Sequence, residues 1–314
     1  MPMPFIVTCD TLAKSYRRGK VQALRGVSFE VAEGEMFGLI GPDGAGKTTA
    51  FRILATLLLP DSGSVAVDGL DVVRQYAEVR RRIGYMPGRF SLYADLTVEE
   101  NLAFFAATFG TTIAENRHLI EDIYTQIEPF RERRAGKLSG GMKQKLALCC
   151  ALIHAPRLLL LDEPTTGVDP VSRKEFWEML AKLRVEYGIS VIASTPYMDE
   201  AAQCDRIALM QDGAFLTTDT PRGIIGSYKQ RLFRVRSGRM HALLADLNEW
   251  EGTQTAFSFG EAYHVTLAPG KDEADLRAYL VSKGHADCDV SEAKPEIEDC
   301  FMALAQTSEE NEPR

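Results

Sequence analysis

Apolar and polar residues alternate in short runs at the start of the chain, FIVTCD, VSFEV and MFGLI, separated by turn residues. This pattern predicts a β-rich opening that ends in a glycine loop. A helix is expected from Lys47 to about Leu58. After the turn Pro60-Asp61-Ser62-Gly63, SVAVDGLDV alternates like a strand and IGYMP reads as a buried one. Thr97-Val98-Glu99-Glu100 has the form of a capping box, and Leu102, Phe105, Ala106 and Phe109 then share one helical face. The stretch from about 90 to 155 is therefore predicted to be mainly helical. RLLLLD, a helix near Arg173 to Tyr187, the strand SVIAS, a helix from about Met198 and IALMQDG then restore a strand–helix alternation. Such alternation implies an α/β fold around a mostly parallel sheet.

Past about Ser227 the pattern changes. FRVRS and YHVTLA read as strands, and Met240 to Trp250 and Asp272 to Ser282 as helices, without glycine-rich loops. Residues 227–306 are expected to form a small α+β appendix, and 307–314, TSEENEPR, a disordered tail.

Composition narrows the function classes. Of 314 residues, 45% are hydrophobic and 25% charged, as in soluble globular chains. Lys and Arg number 36 against 44 Asp and Glu, so the formal net charge is −8 and no nucleic-acid partner is expected. The six cysteines, at 9, 149, 150, 204, 288 and 300, form no C-x-x-C pair and no zinc-like cluster, which fits a reduced compartment. Leu146 to Ile153 is among the longest apolar runs, far short of the roughly 20 residues that span a bilayer. Any membrane role is expected to go through a partner.

Gly41-Pro42-Asp43-Gly44-Ala45-Gly46-Lys47-Thr48 matches G-x-x-x-x-G-K-[ST] between a strand and a helix. Glycines let successive N–H groups turn toward phosphate oxygens, and the helix start adds its positive end. Lys47 can reach the outer phosphates and Thr48 can ligate Mg²⁺. Leu158-Leu159-Leu160-Leu161-Asp162-Glu163 delivers two carboxylates to the end of a buried strand, where open α/β sheets bind ligands. Asp162 is the candidate Mg²⁺ ligand and Glu163 the candidate base or orienting group for an attacking water. Taken alone, an apolar run ending in Asp-Glu is weak evidence; the upstream loop gives it meaning.

Between these elements lies Leu138-Ser139-Gly140-Gly141-Met142-Lys143-Gln144-Lys145. With GPDGAGKTT, IGYMPG, LLLLDEPTTGVDP and STPYMDEA in this order, residues from about 5 to 225 resemble the nucleotide-binding domain of ATP-binding cassette (ABC) transporters. The resemblance implies a P-loop NTPase fold over 1–226, with an N-terminal antiparallel β part, a helical subdomain, and ATP and Mg²⁺ as cofactors. It extends the nucleotide contacts through Thr49. It gives Tyr16, in LAKSYRRG, the role of stacking on adenine, and Asp169, in GVDP, communication between two sites. Ser139, Gly140 and Gly141 would cap the nucleotide held by an opposite subunit. PEIEDCFMAL, residues 295–304, resembles the closing helix of ATPases that serve ABC-2 type exporters, including drug-resistance ATPases. Integral membrane permease subunits are then implied partners, and the cytoplasmic face of the inner membrane the expected location.

Two positions depart from the family pattern. Family members usually carry Gln after a strand like IGYMP and His after one like SVIAS; here these places hold Gly88 and Pro196. Glycine brings no side chain and proline no N–H donor. Loss of one preorganised donor costs about 2.7 to 4 kcal/mol, or about 10² to 10³ in rate, so slow hydrolysis is expected in this chain's own pocket. A homodimer would have two impaired sites, whereas a heterodimer would join this chain's Ser139 segment to a partner's complete pocket, and the heterodimer is favoured. A non-hydrolysing scaffold that lends its LSGG segment is the alternative. An ABC ATPase acting on DNA or ribosomes is disfavoured by the acidic balance and the single cassette.

Overall fold

The computed structural model describes residues 4–17 and 19–311. The chain forms two compact units that divide between Pro221 and Arg222. The boundary expected after 226 falls inside the helix that spans this junction.

The first unit opens with β1 (Phe5–Tyr16) and β2 (Val21–Ala32), followed by β3 (Met36–Ile40), α1 (Lys47–Leu54), β4 (Ser62–Val67), β5 (Leu70–Asp71), α2 (Tyr76–Arg82) and β6 (Ile83–Met86). Three helices come next, α3 (Val98–Thr108), α4 (Ile113–Tyr124) and α5 (Gly140–Leu152). The unit closes with β7 (Leu158–Asp162), α6 (Pro170–Tyr187), β8 (Ser190–Thr195), β9 (Arg206–Gln211) and β10 (Ala214–Asp219).

An antiparallel sheet in the order β2-β1-β4-β5 accompanies a six-stranded sheet in the order β10-β9-β3-β8-β7-β6. In the larger sheet β9, β3, β8, β7 and β6 run parallel, and only the edge strand β10 is antiparallel. Every residue of β3, β7 and β8 is buried, as expected of parallel strands covered on both faces. Phe37, Leu39, Leu160 and Ile192 of this sheet share a core with Phe51 and Ile53 of α1 and with Val7 and Leu12 of β1.

Three local differences from the sequence pattern have physical causes. β1 runs twice the length of FIVTCD because it passes through a bulge, with Thr11 at φ 47° and its N–H donated to Ser28 Oγ at 2.8 Å. α1 stops at Leu54 rather than Leu58, since Thr56 at φ 61° cannot continue a right-handed helix. The expected helix from Met198 is a 3-10 segment, Met198–Gln203, with Glu200 turned into the interior.

The second unit contains α7 (Pro221–Ser227), β11 (Leu232–Arg236), α8 (Met240–Glu249), β12 (Thr253–Phe259), β13 (Ala262–Leu267), α9 (Glu273–Ser282), β14 (Asp289–Ala293) and α10 (Ile297–Asn311). From β11 to β14 the order is βαββαβ, and the sheet order β12-β13-β11-β14 is antiparallel throughout, the ferredoxin-like arrangement. Leu243 and Leu247 of α8 and Leu276 and Leu280 of α9 pack on Phe233, Val235, Val265 and Val290. A hydrogen bond of 2.7 Å between His264 and Asp299, both buried, ties α10 to β13. α10 continues through Asn311, over the first five residues of the stretch expected as a tail, with Thr307 Oγ1 donating back to Ala303 O at 3.0 Å. Residues 312–314 lie outside the described residues.

Candidate functional site

β3, β8 and β7 are adjacent in the sheet, so their C-terminal ends bring three loops to one place. The first is the glycine loop, which leaves β3 at Gly41 and enters α1 at Lys47. Gly46, at φ 109°, precedes the helix, and a β-carbon there would lie 2.3 Å from Ala23 O. One at Gly41 would lie 2.1 Å from Met210 O. Glycine is therefore required at both places by close backbone approach.

Lys47 is 3% exposed. Its Nζ donates to Gly41 O at 2.8 Å and Pro42 O at 3.0 Å, and lies 3.4 Å from Glu163 Oε1. Thr48 Oγ1 donates to Asp162 Oδ1 at 3.1 Å. The same carboxylate oxygen accepts from Ser194 Oγ at 2.8 Å, and Glu163 N donates to both Ser194 O and Ser194 Oγ. Gly41 N donates to Thr195 O at 3.4 Å. Ser194 and Thr195 thus sit between the loop and the two acids; both lie in the STPYMDEA motif, which gave them no role of their own. Their signal was available only through strand order. Behind Asp162, burial and then the charge of Asp162 push the Tyr85 phenol up to about 12, so it stays protonated at neutral pH.

Tyr16 is the last residue of β1, and its hydroxyl lies 3.4 Å from Thr49 Oγ1 on α1. Gly88 lies against the acids: a β-carbon there would be 3.0 Å from Asp162 O and 3.7 Å from Glu163 Cβ. Pro196 directly follows Thr195, and the next residue, Tyr197, returns its N–H to Thr195 Oγ1 at 3.0 Å.

Ser139, Gly140, Gly141 and Asp169 form a separate group. Ser139 caps α5 by accepting from Met142 N at 3.3 Å. Asp169 caps α6 by accepting from Ser172 N at 3.0 Å, and this bond holds its carboxyl below the usual range. A β-carbon on Gly140 would be 3.5 Å from Gly167 O, and one on Gly141 3.2 Å from Ser172 Oγ. The two helix starts therefore pack together. No hydrogen bond or ion pair of the described residues joins them to the glycine loop.

Residues 24–166 match the family described as ABC transporter. The chain is 34% identical over 290 residues to the Nod factor export ATP-binding protein I of Rhizobium sp. (strain N33), covering 91% of this chain and 93% of that protein. The chain belongs to the ABC transporter family. It is also 37% identical to the probable multidrug ABC transporter ATP-binding protein YbhF of Escherichia coli over 97% of its own length, and spans about half, 53%, of that protein. Among solved structures it resembles the dimeric ATP-binding cassette MJ0796 in a post-hydrolysis state bound to ADP and Pi, with a TM-score of 0.62 and 27% identity. That likeness covers 68% of this chain and 98% of the other.

ABC transporter chains bind ATP with Mg²⁺, and the residues here fit both. The loop admits no β-carbon at Gly41 or Gly46, and it leads into a helix start beside a buried ammonium, the chemistry of a phosphate cradle. Thr48 Oγ1 and Asp162 Oδ1 stand at the spacing of neighbouring ligands on a small hard cation. Among the described residues there is no cluster of three His, Cys, Asp or Glu able to hold a metal, so the ion would take further ligands from phosphate and water. Clefts of about 530 Å³ beside Glu128 and Arg131 and about 490 Å³ beside His118 and Tyr187 lie away from this set. A phosphate cradle is an open loop rather than an enclosed cavity.

Proposed function

We propose that the chain is the ATP-binding and ATP-hydrolysing subunit of a membrane exporter of the ABC-2 type. The observation that carries this reading is the convergence of Lys47, Thr48, Asp162 and Glu163 at the ends of β3 and β7. Two relatives named for export or multidrug transport support the exporter class. Bound Mg²⁺ would neutralise phosphate charge while held by Thr48 and Asp162. Lys47 stabilises the outer phosphates, the amides of residues 43–49 hold the rest, and Tyr16 stacks on the base. Glu163 orients and deprotonates the attacking water.

Ser139, Gly140 and Gly141 serve a second ATP-binding subunit in trans, and Asp169 communicates between the sites. Gly88 and Pro196 leave this chain's pocket without two polar groups, so its own hydrolysis is slow. A heterodimer with an ATPase that supplies the complete pocket is favoured over a homodimer. No helix of the described residues is long and apolar enough to cross a membrane. The proposed location is accordingly the cytoplasmic face of the inner membrane, through integral permease subunits.

The experiment is equilibrium binding of Mg·ATP to the full chain with single-turnover hydrolysis, for wild type and Glu163→Gln. The isosteric amide should bind within threefold of wild type and hydrolyse about 10² to 10⁴ more slowly. Equal rates would remove Glu163 from the chemistry. A wild type that binds but never hydrolyses would favour the second reading, a scaffold that contributes only its LSGG segment.

A further inference from the structure

A buried carboxylate that the site chemistry does not use joins three elements at the same end of the sheet. Glu200, in the 3-10 segment after β8, is 4% exposed. Its Oε2 accepts from Thr195 Oγ1 at 2.6 Å and from Thr165 Oγ1 at 3.0 Å. Both hydroxyls are buried; that of Thr165 is partnered by the carboxylate, and that of Thr195 donates to the carboxylate while accepting from Tyr197 N at 3.0 Å. Its Oε1 makes no hydrogen bond and lies 3.6 Å from Arg173 Nη1 in the first turn of α6. The Arg173 guanidinium in turn lies 4.5 Å from the centre of the Tyr197 ring. A carboxylate withdrawn from water this far is tolerated only when paired and bonded, and here the partners come from three different segments.

Two of those partners border the reacting groups. Thr165 follows Glu163 by two residues, across Pro164. Glu163 has φ 51°, a region that a residue with a long side chain occupies only when its surroundings hold it there. On one side its N–H is fixed by Ser194. On the other side Thr166 N and Oγ1 return to Glu163 O and Oε2 at 3.2 and 3.4 Å, and the Thr165 hydroxyl before them is anchored on Glu200. Thr195, the second hydroxyl, carries the carbonyl that accepts from Gly41 N at the start of the glycine loop. One carboxylate therefore ties the segment that carries the catalytic acid to the strand end that contacts the phosphate loop.

We propose that Glu200 is a positioning residue for hydrolysis: by bonding Thr165 and Thr195 together it holds Glu163 in its working conformation, and Arg173 fixes the carboxylate's orientation. The inference rests on the reading of Glu163 as the catalytic carboxylate. It assigns Glu200 no contact with ATP. Glu200→Ala takes the acceptor from two buried hydroxyls, leaving that of Thr165 without its partner and that of Thr195 with only the N–H of Tyr197, whereas Glu200→Gln keeps an oxygen that both can reach and gives up only the charge facing Arg173.

The test is amide hydrogen exchange of the full chain without nucleotide, followed by Mg·ATP binding and single-turnover hydrolysis. In Glu200→Ala, peptides covering 163–169 should exchange at least tenfold faster, with β1 and β2 unchanged. Glu200→Gln should recover most of that protection. Hydrolysis by Glu200→Ala should fall at least tenfold while the Kd for Mg·ATP stays within threefold, and Gln should recover most of the rate. If Glu200→Ala fails to fold, Thr165→Val removes one of the two bonds and should give the same changes at smaller size. Unaltered exchange at 163–169 in a folded Ala variant would overturn the proposal. So would a Gln variant as loose as Ala, or a loss of rate matched by an equal loss of binding. Exchange that responds as expected in a chain that binds but never hydrolyses Mg·ATP would overturn the catalytic role of Glu163 and leave the tie standing.

Discussion

Lys47 Nζ stands 3.4 Å from Glu163 Oε1 while donating to two carbonyls of its own loop. The ammonium proposed for phosphate thus already stands beside the carboxylate proposed for water. The ammonium is almost fully buried, so its bonds act in a low dielectric. Charge-assisted hydrogen bonds contribute about 1.5 to 3 kcal/mol each. Lys47→Met should therefore weaken Mg·ATP binding about 10- to 100-fold, as read by equilibrium dialysis. An unchanged Kd would remove the loop from nucleotide binding.

The glycines of the loop differ in what they resist. At Gly41 an added methyl meets Met210 O at 2.1 Å, so the backbone of β9 or the loop must move. At Gly44, with φ 85°, nothing lies within 4 Å, and only the left-handed backbone is strained. Gly44→Ala should cost roughly 1 to 2 kcal/mol of unfolding free energy. Gly41→Ala should cost more and abolish tight Mg·ATP binding. Urea unfolding of both variants checks the order.

Much of this site was legible in the sequence, because its motifs are contiguous and each carries its mechanism in local backbone geometry. The Thr97 capping box, the loop 41–48 and the apolar strand ending at Asp162 all depend on neighbours in the chain. Ser194, Thr195 and Glu200 stood in a motif, STPYMDEA, but their roles were not legible. Their meaning comes from β8 lying between β3 and β7, a pairing between strands far apart in sequence. The same holds for the second unit, where β11, β13, α8 and α9 could be read but β12, β14 and the order β12-β13-β11-β14 could not. β12 and β14, half-polar edge strands, carried too weak an alternation.

Acid sensitivity is expected at the base of β1. Asp61 accepts from Lys14 Nζ at 2.6 Å, and this bond, followed by those from Ser15 Oγ and Ser15 N, holds its carboxyl down to about 2. A depressed carboxyl contributes stability that is present above its unfolded pKa of about 3.9 and is lost as pH falls through the folded value. The tie between the 60–63 turn and the strand that ends at Tyr16 should therefore loosen between about pH 4 and pH 2. Asp61→Asn should flatten that part of the acid-unfolding curve. The Asp61 carboxyl resonance should titrate near 2; a midpoint near 4 would contradict the contact.

Under the proposed function, Gly88, which has no side chain, and Pro196, whose ring offers no polar group, limit hydrolysis in this chain's own pocket. A β-carbon at Gly88 lies 3.7 Å from Glu163 Cβ and 3.0 Å from Asp162 O, so a glutamine there reaches the acidic pair once that carbonyl yields slightly. The most direct measurement is single-turnover hydrolysis of Mg·ATP by the full chain, wild type against Gly88→Gln/Pro196→His, with binding measured separately. The wild type is expected to bind Mg·ATP and hydrolyse it slowly, and the double variant to be at least tenfold faster. A wild type turning over faster than about one per second, within the ordinary enzyme range, or a folded, ATP-binding double variant with no gain in rate, would contradict it.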